Sequence, residues 1–214
     1  VIVPYITCRE GEEPVKNKAL CGSWGPDGHP RLGYRTELRD DRDLQDVLWA
    51  RCPQRRGPDG LPAGDPRWRD VHPARQRECM QRLLCQVCAQ PARTARGFIF
   101  LTAPGELRPN ETTLLTTQPP VCRKHARTAA TLCPYLHGNP TVILVPAPRL
   151  HGVVGALYEH TGHRIRPAPA DIGSLPYGHP CLRWYLASQM VRRLHAFETV
   201  DLRQLADSRE SGEV

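Results

Sequence analysis

The stretch "HPCLRWYLASQMVRRLHAF" (179–197) decides the fold class. Its apolar residues Leu182, Leu186, Met190 and Leu194 recur every four positions, and Phe197 follows three later. That is the spacing of one helix face, and it predicts the longest helix of the chain. Downstream, "ETVDLRQLA" either continues this helix or forms a short final strand. Upstream, "RLHGVVGALYEHTG" (149–162) reads as a short helix, with Val153, Val154, Leu157 and Tyr158 on one face and Gly162 as its C-cap. "HRIRPA" between or after them is a possible edge strand, and "TVILVPA" (141–147), the most apolar run, reads as a buried strand.

Working further toward the N-terminus, "CRKHARTAATLC" (122–133) is a helix stopped by the proline and glycine of "PYLHGNP". "GFIFLT" (97–102) and "ETTLLTTQ" (111–118) read as two strands joined by the turn "PGELRPN" into a β-hairpin. "ARQRECMQRLL" (74–84) is a helix with Cys79, Met80, Leu83 and Leu84 at helical spacing. Residues 53–73, rich in proline and glycine, form a long exposed loop. "DDRDLQDVLWARC" (40–52) is either a short helix with carboxylates at its positive end or a loop feeding a strand at "VLWARC". "VIVPYIT" (1–7) reads as a short strand. The expected fold class is therefore α+β, a single compact domain. Its expected parts are 1–73, a strand and long loops; 74–137, a helix–hairpin–helix module; 138–206, a strand, a helix and the long C-terminal helix; and a flexible tail at 207–214.

The 74–137 module carries the chemistry. Cys85-x2-Cys88 is followed, after 33 residues, by Cys122-x2-His125. A C-x2-C turn lets two sulfurs grip one ion, and positions i and i+3 at a helix start share a face. A redox C-x-x-C belongs at a strand-to-helix junction. This one instead follows a helix and precedes a hairpin. The bland alternative is four unrelated buried side chains. Zn2+ bound by Cys85, Cys88, Cys122 and His125 is the expected cofactor, and a complete four-ligand set leaves no open position for water, so the ion is structural.

The order knuckle, hairpin, helix with the last two ligands resembles a treble-clef zinc finger over about residues 83–134. The whole-chain layout resembles that of uncharacterised bacterial proteins with one Cys3His knuckle, a resemblance that implies a fold and no activity. The treble clef also occurs in HNH-type nucleases, which carry a catalytic His on the first hairpin strand. "ARGFIFLTAPGEL" has none, and "HGN" (137–139) lies after the helix.

The 214-residue chain carries a net charge of +7. A chain of this length buries roughly 70 % of its unfolded surface and needs no metal merely to fold. Residues 51–100 hold ten basic and four acidic side chains, so the surplus surrounds the CQVC stretch. Only Lys16, Lys18 and Lys124 are lysines, an arginine bias that a GC-rich genome also produces. A basic patch attracts DNA or RNA. Arg55, Arg56, Arg67, Arg69, Arg123 and Arg127 are the candidate phosphate contacts, and Trp68 in "DPRWRD" is a candidate base-stacking ring or a pin for the loop. The leading expectation is a zinc-stabilised nucleic-acid-binding protein. The rivals are a small-molecule enzyme using His151, His160, His163 and His179 in a pocket beside "TVILVP", and a protein–protein adaptor.

Nine cysteines, an odd and irregularly spaced set, suit a reducing compartment better than a secreted disulfide framework. Cys8, Cys21, Cys52 and His29 are a weaker candidate for a second metal site. Cys79 and Cys133 are expected in the core. Asp171, Ser174 and His179 lack the context of a nucleophile elbow. No apolar run is long enough to cross a membrane as a helix. With no basic segment before "VIVPYI", a signal peptide is not expected and the expected localisation is cytoplasmic.

Overall fold

The structure is a computed structural model and describes residues 2–136, 138–162, 164–169 and 172–202. The strands in the first half are β1 (Thr7–Arg9), β2 (Leu20–Trp24), β3 (Pro30–Tyr34), β4 (Leu48–Trp49), β5 (Pro66–Val71), β6 (Arg93–Thr94) and β7 (Gly97–Thr102). Those in the second half are β8 (Thr113–Thr116), β9 (Thr141–Val145), β10 (Arg149–Thr161), β11 (Arg164–Pro167), β12 (Leu175–Pro176), β13 (Tyr185–His195) and β14 (Glu198–Val200). The α-helices among the described residues are α1 (Pro73–Arg82) and α2 (Arg123–Leu132). The protein is mostly β, and the α+β expectation with a long C-terminal helix is overturned.

The correction lies in two segments. The predicted helix at 179–197 is a 3-10 turn at Pro180–Trp184 followed by β13, and the predicted helix at 149–162 is β10. A spacing of four falls on one face of a helix and equally on one face of a strand, since side chains repeat every two residues along a strand. Leu186, Met190 and Leu194 therefore fitted both. In β13 Tyr185 and Ala187 are buried, then Met190, Arg192 and Leu194, so the buried parity switches midway and hides the alternation. In β10, Gly152 and Gly155 lie so close to the carbonyls of Leu175 and Leu186 that a methyl group would collide with backbone. Glycine is needed there for close approach of neighbouring strands.

The single compact domain is also corrected, because the chain groups into two units. The first comprises 1–5, 78–150 and 192–214, and the second 6–77 and 151–191. In the first unit, β14, β9, β7 and β6 form an antiparallel sheet in that order. β7 and β9 are its apolar centre, and Phe98, Ile99, Phe100, Ile143, Leu144 and Val145 are buried there with Ala126 of α2. The predicted hairpin between 97–102 and 111–118 does not form. Both edges of β7 are taken, by β6 through the register Arg93↔Phe98 and by β9 through Phe100↔Ile143. Strand β8, half-exposed along its length, pairs instead with Arg192–His195 of β13.

In the second unit, β2 and β3 make a hairpin in register Leu20↔Tyr34 to Trp24↔Pro30. β10 pairs with β11 and β12, and Leu186–Ala187 of β13 runs parallel to β4. Leu20, Leu32, Tyr34, Leu48 and Tyr158 form the core of this part. β1 pairs with β5, so the predicted strand at 1–7 is shifted to Thr7–Arg9. The strand readings at "VLWARC", "HRIRPA" and the start of "ETVDLRQLA" correspond to β4, β11 and β14. The predicted tail 207–214 lies outside the described residues.

Candidate metal centre

The first unit brings Cys85, Cys88, Cys122 and His125 together, with every ligand atom within 4.8 Å of the others. His125 Nδ1 lies 3.7 Å from Cys85 Sγ and 3.2 Å from Cys122 Sγ. An ion bound about 2.3 Å from sulfur and about 2.0–2.1 Å from nitrogen holds its ligand atoms about 3.5–3.8 Å apart in a tetrahedron. The observed spacings fit that geometry after small shifts.

Local backbone chemistry builds the cluster. Helix α1 ends at Leu83, whose φ of 53° is left-handed, and Leu84 N–H reaches back to the Cys79 carbonyl at 3.0 Å. This is the terminating bond of a Schellman motif. The buried Arg192 guanidinium donates to the carbonyl oxygens of Met80 and Gln81 and, at 2.6 Å, to that of Pro148. It satisfies orphan carbonyls at the negative end of α1. The knuckle then closes as Cys85 N–H donates to the Gln90 carbonyl at 2.7 Å and Ala89 N–H to the Cys85 carbonyl at 2.8 Å. Ala89 adopts φ 56° to complete the turn.

The second ligand pair arrives through its own ties. Gln86 N–H donates to the Pro120 carbonyl at 3.0 Å, and Val121 N–H to the Ile99 carbonyl at 2.9 Å. Cys122 is the N-cap residue of α2, so His125 follows one turn on. Burial pushes the Cys122 thiol up from its ordinary range. Burial, with a smaller push from Lys124, lowers His125 and keeps its imidazole neutral, the form that ligates. A bound cation would reverse the balance at the thiols by favouring their anions. The donor set of three sulfurs and one imidazole could hold a metal ion, and it forms the one group of three or more ligating side chains among the described residues.

The other candidate residues fall in both units. Arg55, Arg56, Arg67 and Arg69 belong to the second unit, and Arg123 and Arg127 to the first. Arg67 pairs with Asp70 at 2.6 Å, and Arg56 donates to the Gly60 carbonyl and to Gln54. Arg55, Arg69 and Arg127 are exposed, and Arg123 is half-buried. Trp68 is 58 % exposed on β5. Much of the basic surplus at 51–100 is spent internally, since Arg51, Arg75, Arg82 and Arg96 face Asp41, Glu12, Glu78 and Glu198.

The candidate histidines form no ligating group among the described residues. His160 stacks on Trp184 at 5.8 Å, while His179 caps the turn at Pro180–Trp184 by accepting the Cys181 N–H. His151 lies in β10, and His163, His137 and Asp171 fall outside the described residues. The weaker second metal set does not appear among the described residues. Cys79 is fully buried in α1, its thiol pushed up to about 12 by burial and then by Glu78, and Cys133 packs against the first unit's core. Among the described residues, no helix is long and apolar enough to cross a membrane.

Sequence reasoning missed the buried centre of the second unit. Arg75 and Glu12 are almost wholly inaccessible and joined by two hydrogen bonds of 2.7 and 2.6 Å. The Glu12 carboxylate also accepts the backbone N–H groups of Arg9 and Arg55. His72 Nδ1 accepts the Arg75 N–H, and its other nitrogen faces the Pro53 carbonyl at 3.2 Å. No protein-family model matches the chain, and no curated protein and no solved structure matches it.

Proposed function

We propose that Cys85, Cys88, Cys122 and His125 bind Zn2+ as a structural centre of treble-clef type in a nucleic-acid-binding protein. The convergence of four ligand atoms carries this reading. Thiolate and imidazole donors in a tetrahedral set suit zinc, and four protein ligands leave no site for a reacting water. The order knuckle, hairpin and ligand-bearing helix supports the treble-clef comparison, with β6–β7 as the hairpin in place of the one expected from sequence. The nucleic-acid part is supported by exposed Trp68 between Arg67 and Arg69, with Arg55 and Arg56 exposed in the same unit. The ring stacks on a base and the arginines meet phosphates; Arg123 and Arg127 supply a further pair.

The test is metal analysis of the purified chain followed by binding to fluorescent single-stranded and duplex oligonucleotides across a salt series. One zinc per chain is expected. Contacts to three or four phosphates of a single strand give a log–log salt slope of roughly −2 to −3. Trp68→Ala lowers affinity by roughly 1–3 kcal/mol without changing that slope. Stoichiometric zinc with no binding at low salt removes the nucleic-acid part alone, and absence of zinc removes the first part.

A second reading draws on a polar cavity of about 450 Å³ in the second unit, lined by Arg31, Arg42, Arg183, Asp27, Asp46 and His179 among others. It favours a small-molecule ligand. His179 is the one candidate histidine on its wall. The bonds Arg31–Asp46 and Arg183–Asp27 already engage two of the arginines with carboxylates, so the cavity offers little unspent charge.

A further inference from the structure

Two thiols outside the metal centre are held against one another in the second unit. Cys8 lies in β1 at the irregularity between Thr7 and Arg9, and is 4 % exposed. Cys52 follows β4 and is half-buried. Glu12 gathers their two segments. Its carboxylate accepts the N–H of Arg9, next to Cys8, at 2.8 Å, and that of Arg55, three residues beyond Cys52, at 3.0 Å. Its carbonyl accepts the Cys52 thiol at 3.1 Å. Arg75, bound to that same carboxylate, also donates to the Thr7 carbonyl at 2.9 Å. Across this frame the Cys8 and Cys52 side chains are near enough to perturb each other.

We propose that Cys8 and Cys52 are a disulfide-forming pair, oxidised by a low-molecular-weight disulfide. The neighbouring Cys52 thiol lowers the Cys8 thiol against the opposing effect of burial, and Arg75 adds to the lowering. Cys8 in turn raises Cys52, with burial second. Cys52 is the sulfur nearer solvent.

Cys52 passes its thiol proton to the Cys8 thiolate as it attacks a sulfur of the small disulfide, forming a mixed disulfide and expelling one small thiolate. Cys8 then attacks the Cys52 sulfur, forms the protein S–S bond and expels the second small thiolate. The two cysteines lose two electrons and the small disulfide gains them, while the two thiol protons end on the two small thiols. The bond staples β1 to the start of the segment carrying Arg55 and Arg56, in place of the Cys52 bond to the Glu12 carbonyl. It is independent of whether the protein binds nucleic acid.

The test treats the full-length, metal-loaded chain with oxidised glutathione, quenches in acid, alkylates the remaining thiols under denaturing conditions, and maps unreduced peptides by mass spectrometry. The expected product is a Cys8–Cys52 linked peptide pair, two hydrogens lighter than the free peptides and lost on treatment with dithiothreitol. The metal stays bound. In Cys8→Ser the link disappears and glutathione remains on Cys52. Recovery of Cys8 and Cys52 both alkylated overturns the proposal in the unmodified chain, whatever the variant's folding. So does a link from either residue to another cysteine, or cross-linking confined to Cys85, Cys88 and Cys122 with loss of metal.

Discussion

Each unit of this protein is organised round one buried polar centre, and the two centres are built on opposite principles. The Cys3His centre of the first unit consists of groups that interact weakly by themselves and converge on a position for a cation. In the Glu12–Arg75 centre of the second unit, both charges and the hydrogen bonds that join them are supplied by the chain. With an ion bound, the first would make stability conditional on that ion. The second makes it conditional on a protonation state. The comparison teaches that a buried charge can be balanced by a ligand or by a partner, and that the two solutions fail under different conditions.

The largest expected effect separates them by chelation. Structural zinc in small fingers contributes roughly 10–16 kcal/mol of apparent binding free energy at neutral pH. Removing metal should therefore unfold the β6, β7, β9 and α2 region, while the β2–β3 hairpin keeps its amide protection. Hydrogen exchange read residue by residue checks this, and equal loss in both units would break the contrast.

Next in size is Glu12→Gln. It leaves the Arg75 guanidinium buried without its counter-charge, which costs roughly 3–5 kcal/mol. Urea unfolding of the metal-loaded protein measures it, and metal content should not change. A loss below about 1 kcal/mol would mean that the second centre does not carry stability in the way argued.

The acid response follows from the same residue. Burial pushes Glu12 up, but the Arg75 hydrogen bonds and the N–H groups of Arg9 and Arg55 outweigh it and bring the carboxyl down from its ordinary 4.5 to about 2. A folded-state pKa below the unfolded one means that this stability is fully present above pH 4.5 and is lost as pH falls toward about 2. The loss is on the order of 3 kcal/mol. Glu12→Gln should lack this component of acid sensitivity. Denaturation curves of both proteins at pH 5, 4 and 3 with metal removed beforehand isolate it from ligand protonation, provided the second unit's unfolding is followed through its own amides.

The smallest effect sharpens the metal side. Ala89 holds φ 56° in the knuckle, a conformation that costs an L-residue roughly 1–2 kcal/mol. Ala89→Gly removes that strain but loosens the unfolded chain by roughly 0.5–1 kcal/mol. A net gain of up to about 1 kcal/mol is expected with unchanged metal stoichiometry. Destabilisation instead would show that the Ala89 methyl packs to better effect than the turn geometry suggests.

The difference in legibility between the two centres has the same origin. Cys85-x2-Cys88 and Cys122-x2-His125 are local pairs, and each spacing reports a turn or a helix end without knowledge of the rest of the chain. Helices α1 and α2 and the apolar strands β7 and β9 were readable for the same reason. Glu12 meets Arg75 across 63 positions, and neither residue has a neighbour that advertises the other. The long segment at 179–197 failed for a subtler reason. Leu186, Met190 and Leu194 satisfy both periods, and the shift of buried parity after Ala187 removed the alternation that would have marked a strand. The valine pair and the two glycines of β10 were a signal for strand that the helical reading passed over. Partner choice was likewise illegible: β8 pairs with β13, while β7 pairs with β9 on one side and with β6 and Val121 on the other.

By itself, then, the amino-acid sequence determined which four side chains can share one ion, where the two helices run and which strands are fully apolar, because those properties depend on spacing over a few residues. The tertiary structure alone decided that 149–162 and 185–195 are strands, which edges they meet, and that Glu12, Arg75, Cys8 and Cys52 come together. Those outcomes depend on backbone hydrogen bonds and buried charges whose partners lie tens of residues away, where local spacing carries no information.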